Sequence, residues 1–341
     1  MKLITTPALS FDDVLLEPGY STLNSREEVE MESNFLGLNL SLPIISSNMN
    51  YVTGPEMADA MWDAGGVGII HRFASKIDQE NWFRYLETQP FISVGARNPE
   101  ETLEWIKHLM ATIYGPYAVC IDVAHGHLAK VISLIASIKS DFPLLKVIAG
   151  NVATPEAYFD LSEAGADAIK VGIGPGAACT TRVVTGIGVP QLQAIMDCAE
   201  QKNHQKQPTI LIADGGIRNS GDIVKALAAG ADFVMLGHLL AGSQECPGEL
   251  ISAPDGKTYK RYMGQSIFGV NGTKYTKEGV TGFVEAKGPV KDTLHQLRGG
   301  IRSGMSYVGA RNLQELRDKA VFRVVTQASI QESNPRIRQI L

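Results

Sequence analysis

The sequence predicts a (β/α)8 barrel. Three observations carry the prediction. Eight short apolar runs recur along the 341 residues. Helical patterns separate them. The string AGAD occurs twice, at Ala164–Asp167 and Ala229–Asp232, and marks two similar helix-to-strand returns. Strand and helix in eightfold alternation point to a closed parallel barrel, with a doubly wound open sheet as the structural alternative.

The first segment, residues 1–40, contains LSFDDVLLEPGYST and reads as a short hairpin or a cap over the barrel floor. The strand runs are Pro43–Asn48, Gly66–Ile70, Ile92–Ala96, Ala118–Val123, Lys146–Asn151, Ala168–Ile173, Thr209–Asp214 and Phe233–Gly237. Most are continuously apolar, as strands covered on both faces are. Helical spacing follows Pro99, and Thr154-Pro155-Glu156 offers an N-cap with proline at the first helical position. Asn219 to Asp222 precedes IVKALAAG, where Gly230 suits a helix stop. After the eighth strand, residues 243–290 are rich in glycine and polar residues. So long a loop in a compact domain is usually functional or disordered. Its scattered aromatic residues favour an active-site flap containing a hairpin. A helical segment near Val290–Gly299 closes the barrel, and nothing divides residues 1–341 into two domains.

Composition bounds the function. Hydrophobic content of 44% and charged content of 20% fit a globular enzyme. A formal charge of −5 and a pI near 5.8 give no support for nucleic-acid binding. The four cysteines, Cys120, Cys179, Cys198 and Cys246, show no paired metal spacing and suggest a reducing compartment. Without an apolar signal core or a membrane-length run, the expectation is cytoplasmic.

In barrels, functional groups gather at the C-terminal ends of the strands. Here those ends present Asn48-Met49, His71-Arg72, Asp122, Asn151, Asp214-Gly215-Gly216 and Gly237-His238. The sixth run leads into GIGPGAACTTR, a glycine-rich loop ending at Cys179. A free cysteine is more often a small buried hydrophobe. This one sits on a loop beside Thr180, Thr181 and the cationic Arg182, which could favour its thiolate. A nucleophile is the sharper expectation. Asp214 suits the two hydroxyls of a ribose, with phosphate further along on the glycine amides. His125 and His127 lack a third ligand at a useful spacing.

GIGPGAACTTRVVTGIGVPQ resembles the cysteine loop of the IMP dehydrogenase/GMP reductase family, and LSFDDVLLEPGYST, IDVAHGH and ADGGI resemble its other motifs. The resemblance covers nearly the whole chain. It implies a (β/α)8 barrel in which Cys179 bonds covalently to carbon 2 of a purine nucleotide. It implies cofactor contacts from Arg72, Asp122 and Asn151. It implies substrate contacts from Asn48, Met49, Asp214, Gly215, Gly216, Gly237, His238, Tyr262, Gly264, Gln265 and Ser266. The carbonyls of Gly174, Gly176 and Cys179 resemble the family's monovalent-cation site, which holds potassium in several members. Tetramers are common in the family, so a homotetramer is expected. Many dehydrogenases insert a pair of CBS domains after the second strand; here His71-Arg72-Phe73 runs directly into a helix pattern.

Several residues resemble the reductase side. Thr181 matches the Thr, and Glu278 the Glu, that handle the proton as ammonia leaves GMP. Asn48-Met49 is similar to the reductase form of the first motif. Lys274-Tyr275 stands where dehydrogenases carry the Arg-Tyr pair that activates water. The resemblance therefore implies NADPH-dependent reduction of GMP to IMP, with IMP oxidation by NAD and a silent nucleotide-binding barrel as alternatives. Two departures mark the phosphate end. Ala177 replaces a usual Ser, and His238 a usual Ser or Gly. A protonated His238 could supply a charge-assisted bond in place of the lost hydroxyl.

Overall fold

A computed structural model describes residues 3–86, 88, 90–112, 115–206, 208–264 and 278–333. Eight parallel strands form its central sheet: β1 Ile44–Ser46, β2 Val67–Gly68, β3 Phe91–Val94, β4 Ala118–Asp122, β5 Lys146–Val152, β6 Ala168–Val171, β7 Ile210–Asp214 and β8 Phe233–Leu236. Neighbours pair in the order β2-β1-β8-β7-β6-β5-β4-β3. A parallel bridge from Ile70 to Ile92 joins the two ends, so the sheet closes into a (β/α)8 barrel. Every expected strand is present, each slightly trimmed or shifted at its ends.

The strands are continuous in burial because side chains on one face fill the barrel and those on the other meet the helices. All residues of β3, β4, β6 and β8 are buried. Helix starts follow the expected chemistry. Proline opens the helices Pro55–Asp63, Pro99–Met110 and Pro155–Glu163. Thr154 Oγ1 accepts from Ala157 N, and Asn219 Oδ1 accepts from Asp222 N at 2.9 Å.

The N-terminal segment does cap the floor. A hairpin of Ser33–Phe35 and Leu38–Leu40 carries Phe35 into the barrel, where its ring lies 4.8 Å from Phe233 and 5.6 Å from Phe91. Phe35 is fully buried. Tyr117 Oη donates to Leu36 O at 2.7 Å and pins the turn. The floor is thus sealed by apolar packing, and the opposite, C-terminal mouth is left for polar groups.

The closing helix differs from expectation. It runs Val290–Val308, straight through Gly299-Gly300. Gly300 is a contact point, not a stop: a Cβ on it would meet Ser220 Oγ at 2.2 Å, and one on Gly304 would meet Val224 at 2.8 Å. After β8, an antiparallel sheet of Ile251–Ser252, Thr258–Met263 and Thr281–Glu285 contains the expected hairpin pairing. Gln265, Ser266, Lys274 and Tyr275 lie outside the described residues. Among those described, no helix is long and apolar enough to cross a membrane.

Candidate active site

Two adjoining cavities of about 200 and 310 Å³ open at the C-terminal mouth and share Met49, Gly176, Asp214, Gly215 and Tyr262. The first also holds Arg72, Asp122, Asn151, Cys179, Thr181 and Glu278. The second adds Gly216, Gly237 and His238, together with Arg182 and Arg218. The barrel therefore gathers nearly all the expected residues into one continuous site.

Cys179 stands at its centre. Its thiol donates to Thr181 Oγ1 at 3.2 Å, and the Thr181 hydroxyl donates to Glu278 Oε2 at 2.9 Å. The carboxylate arrives from 97 residues downstream. What seats it is a short antiparallel pairing: Thr180 N donates to Glu278 O, Cys179 bridges Gly279, and Val280 N donates to Ala178 O. Gly264 backs this pairing, for its N donates to Val280 O at 3.0 Å. A Cβ on Gly264 would lie 2.7 Å from Ala178 O. A carboxylate joined to a thiol through one hydroxyl can receive the thiol proton and return it to a leaving group. The other cysteines differ. Cys120, Cys198 and Cys246 are buried, and burial raises their thiols to about 12, 12 and 11. Arg182, expected beside the thiol, instead donates to Val189 O at 2.6 Å. The thiol's partner is the Thr181 hydroxyl.

Beneath the thiol loop lies an ionic cluster. Lys170 Nζ is 3.3 Å from Asp122 Oδ1, 3.2 Å from Asp214 Oδ2 and 3.5 Å from Asn48 Oδ1. Its side chain is 2% exposed. Burial alone disfavours the ammonium, but Asp214 and Asp122 outweigh it and the Lys170 pKa is raised. Asp122 Oδ2 faces Arg72 Nε at 3.5 Å. The turn presenting Arg72 is shaped by His71, whose Nδ1 accepts from Phe73 N at 3.0 Å. Burial pushes His71 down to about 4, so it is a neutral structural ring. Asp122 is therefore an ion-pair partner at a strand end, not a helix cap.

Asn151 donates to Asp214 Oδ2 at 2.9 Å and to Gly172 O at 2.8 Å. Its amide thus orients the carboxylate expected to meet a sugar. Gly172 permits the close approach of β6 and β7, for at φ +151° a Cβ would lie 1.9 Å from Asp214 O. Asn48 sits behind the wall, 1% exposed, donating to Ser93 Oγ at 2.8 Å. It supports the cluster, and Met49 lines the cavity. Gly176 O accepts from Cys179 N at 3.0 Å, which leaves one lone pair for a cation. Among the described residues, no group of three or more His, Cys, Asp or Glu could hold a metal; His127 pairs with Asp160 at 2.7 Å.

At the far end, His238 packs edge-on to Tyr262, with ring centroids 5.6 Å apart. Burial, and then Lys287, push its pKa below the usual value. Without a ligand the imidazole thus favours its neutral form, and the protonated donor would arise only beside a bound phosphate. Two residues were missed in the sequence. Lys170 had a signal, a single charge inside the buried run AIKV. Arg218, which donates to Asp12 Oδ2 at 2.9 Å, follows the glycine loop directly.

Comparison with known proteins agrees with this site. A model described as the IMP dehydrogenase / GMP reductase domain matches residues 8–336. An inosine-5'-monophosphate dehydrogenase from Chlorobaculum parvum is 33% identical over 98% of this chain and 97% of its own length. That alignment runs over 483 residues against 341 here, as it would where the relative carries a segment this chain lacks. The corresponding enzyme from Aquifex aeolicus is 50% identical across 69% of this chain, and the match spans 50% of that relative's length. Among solved structures, a Cys-to-Ala variant of GMP reductase from Trypanosoma brucei, in complex with guanosine 5'-monophosphate, superposes with a TM-score of 0.89. It is 28% identical and the match covers 98% of this chain and 99% of that one.

Proposed function

The chain belongs to the IMP dehydrogenase / GMP reductase family, and from that premise we propose that it reduces GMP to IMP and ammonia with NADPH. The family consists of nicotinamide-dependent oxidoreductases that act on purine nucleotides. The observation carrying the reductase reading is the Cys179–Thr181–Glu278 chain of hydrogen bonds.

Glu278 accepts the thiol proton through Thr181, and the Cys179 sulfur attacks carbon 2 of guanine. The S–C2 bond forms. The same proton returns along Thr181 to the exocyclic amine, the C2–N bond breaks and ammonia leaves. The hydride that takes the amine's place at carbon 2 would come from a reduced nicotinamide when one is bound. The sulfur then leaves carbon 2 as a thiolate, IMP is released, and a proton from solvent restores the thiol. Asp214 holds the ribose hydroxyls. Gly215, Gly216 and Gly237 offer backbone N–H groups to the phosphate, with His238 alongside. The donor set around Arg72 and Asp122 fits a nicotinamide: a carboxylate for the carboxamide N–H and a guanidinium for the cofactor phosphates. Asn151 lines the same cavity, and its amide holds Asp214 in place for the ribose. The carbonyls of Gly174, Gly176 and Cys179 would hold a monovalent cation such as potassium. Residues 1–341 act as one barrel domain, and 243–290 form its flap. The protein works as a cytoplasmic homotetramer.

IMP dehydrogenase is the second reading, favoured by the names of the curated relatives. Absorbance assays separate the two. The reductase consumes NADPH only when GMP is present and yields IMP. NADH appearing from IMP and NAD, with no GMP-dependent loss of NADPH, would replace the proposal with the dehydrogenase. Binding of nucleotide with neither signal would leave a silent barrel.

A further inference from the structure

We propose that Lys170 is a positioning residue that fixes the sugar-binding and cofactor-binding carboxylates, Asp214 and Asp122, in register through one buried ammonium. The inference rests on the purine-nucleotide reading for the roles of the two carboxylates, but its electrostatic core stands on geometry alone. Lys170 comes from β6, between β4 and β7 of the closed barrel. Its Nζ lies within 3.3 Å of a carboxylate oxygen on each side. Among the described residues, each carboxylate has one further side-chain partner, Arg72 for Asp122 and Asn151 for Asp214. Cys120 also faces the ammonium, as a neutral thiol.

The arrangement divides the work. Lys170 uses Oδ1 of Asp122 and Oδ2 of Asp214, so the second oxygen of Asp214 is left to meet a ligand. Asp122 turns its own second oxygen to Arg72 at the first cavity's edge. Two carboxylates sharing a buried site repel one another, and without the cation one of them would take up a proton. A protonated Asp214 would lose an acceptor for the sugar hydroxyls. Lysine is the fitting residue here because its ammonium is a compact donor with three N–H bonds, and three oxygens surround it.

Lys170→Met is the test, with Lys170→Arg and the double variant Lys170→Met/Asp122→Asn beside it. Thermal unfolding of ligand-free protein is followed from about pH 6 to pH 9, and GMP binding is measured by calorimetry over the same range. In Lys170→Met, one carboxylate has a folded pKa above its unfolded value. Its contribution is present at low pH and lost as pH rises through the folded pKa. The melting temperature should therefore fall with pH relative to wild type. GMP affinity should drop by about tenfold or more at neutral pH and recover as the carboxylate ionises. The double variant should abolish the pH slope of stability, and Lys170→Arg, which keeps the charge in a bulkier group, should keep that slope close to wild type and recover part of the GMP affinity. If Lys170→Met does not fold, a folded double variant supports the coupling, and failure of both to fold, with a folded Lys170→Leu/Asp122→Leu control, contradicts it. Parallel pH profiles for Lys170→Met and wild type, with GMP affinity unchanged, would overturn the proposal. Wild-type protein that binds neither GMP nor IMP, with the pH slope still present in Lys170→Met, would overturn only the purine reading and support the charge coupling.

Discussion

The two halves of the site are held in different ways. Lys170, Asp122 and Asp214 stand on β6, β4 and β7, so the hydrogen-bonded ladders of the barrel fix their spacing. Cys179 and Glu278 stand on segments outside the barrel, joined by a few backbone bonds between Ala178–Thr180 and Glu278–Val280. The strand-borne half is buried and ionic, and breaking such a pair costs about 3–5 kcal/mol. The loop-borne half is partly exposed and linked by neutral hydrogen bonds, worth about 0.5–1.5 kcal/mol each. The lesson is a division of labour: the barrel holds charge where charge must not move, and loops carry the groups that exchange a proton.

Substitutions in the loop-borne half should therefore remove chemistry and spare binding. The largest effect is expected from Cys179→Ala, which should abolish turnover while calorimetry still detects GMP at near wild-type affinity. Turnover close to wild type would show that the sulfur is not the nucleophile. Glu278→Gln comes next. General acid–base groups contribute about 10²–10⁴-fold, so GMP-dependent NADPH loss should slow by that order with little change in nucleotide affinity. Gly264→Ala tests the seating alone. Its new Cβ would press on Ala178 O and Gly279 Cα, at 2.7 and 3.2 Å. Displacing Glu278 in this way should lower kcat by up to about 10²-fold and leave the KM for GMP nearly unchanged. A matched loss in KM would mean that the two halves are not separable.

The smallest effect is expected at His238. Its free imidazole is pushed below the usual value of 6.5, chiefly by burial. A bound phosphate dianion favours the imidazolium. Phosphate affinity should then be highest in acid and begin to fall as pH rises through that lowered pKa. A charge-assisted bond is worth about 1.5–3 kcal/mol, so the change should be roughly tenfold or somewhat more. His238→Ala should flatten the profile; an already flat wild-type profile would assign the phosphate to the glycine amides alone.

Legibility in the sequence followed the same division. The loop-borne Cys179 was visible because glycines and hydroxyls surround it, a pattern that core strands do not show. The eight strands were visible because both faces are buried. Lys170 was missed, since one charge in AIKV does not disturb an apolar run, and its partners come from strands 48 and 44 residues away. Glu278 could be placed only through a family resemblance, because no local pattern ties it to Cys179. The closing helix reads as ending near Gly299, while Gly300 continues it and serves contact with the neighbouring helix, a tertiary fact with no local sign. The same holds for Asn48, whose strand-end position suggested the cavity and whose side chain turns instead to Ser93.

The central claim is that Cys179 bonds to the purine and that the proton chain expels ammonia before any hydride is needed. The direct measurement is intact-protein mass and free ammonia after mixing the enzyme with GMP alone, without cofactor. The account predicts a nucleotide adduct that maps to Cys179, ammonia released in equal amount, and both slowed in Glu278→Gln. No adduct and no ammonia from a wild-type protein that binds GMP, or an adduct mapping to another cysteine, would contradict it.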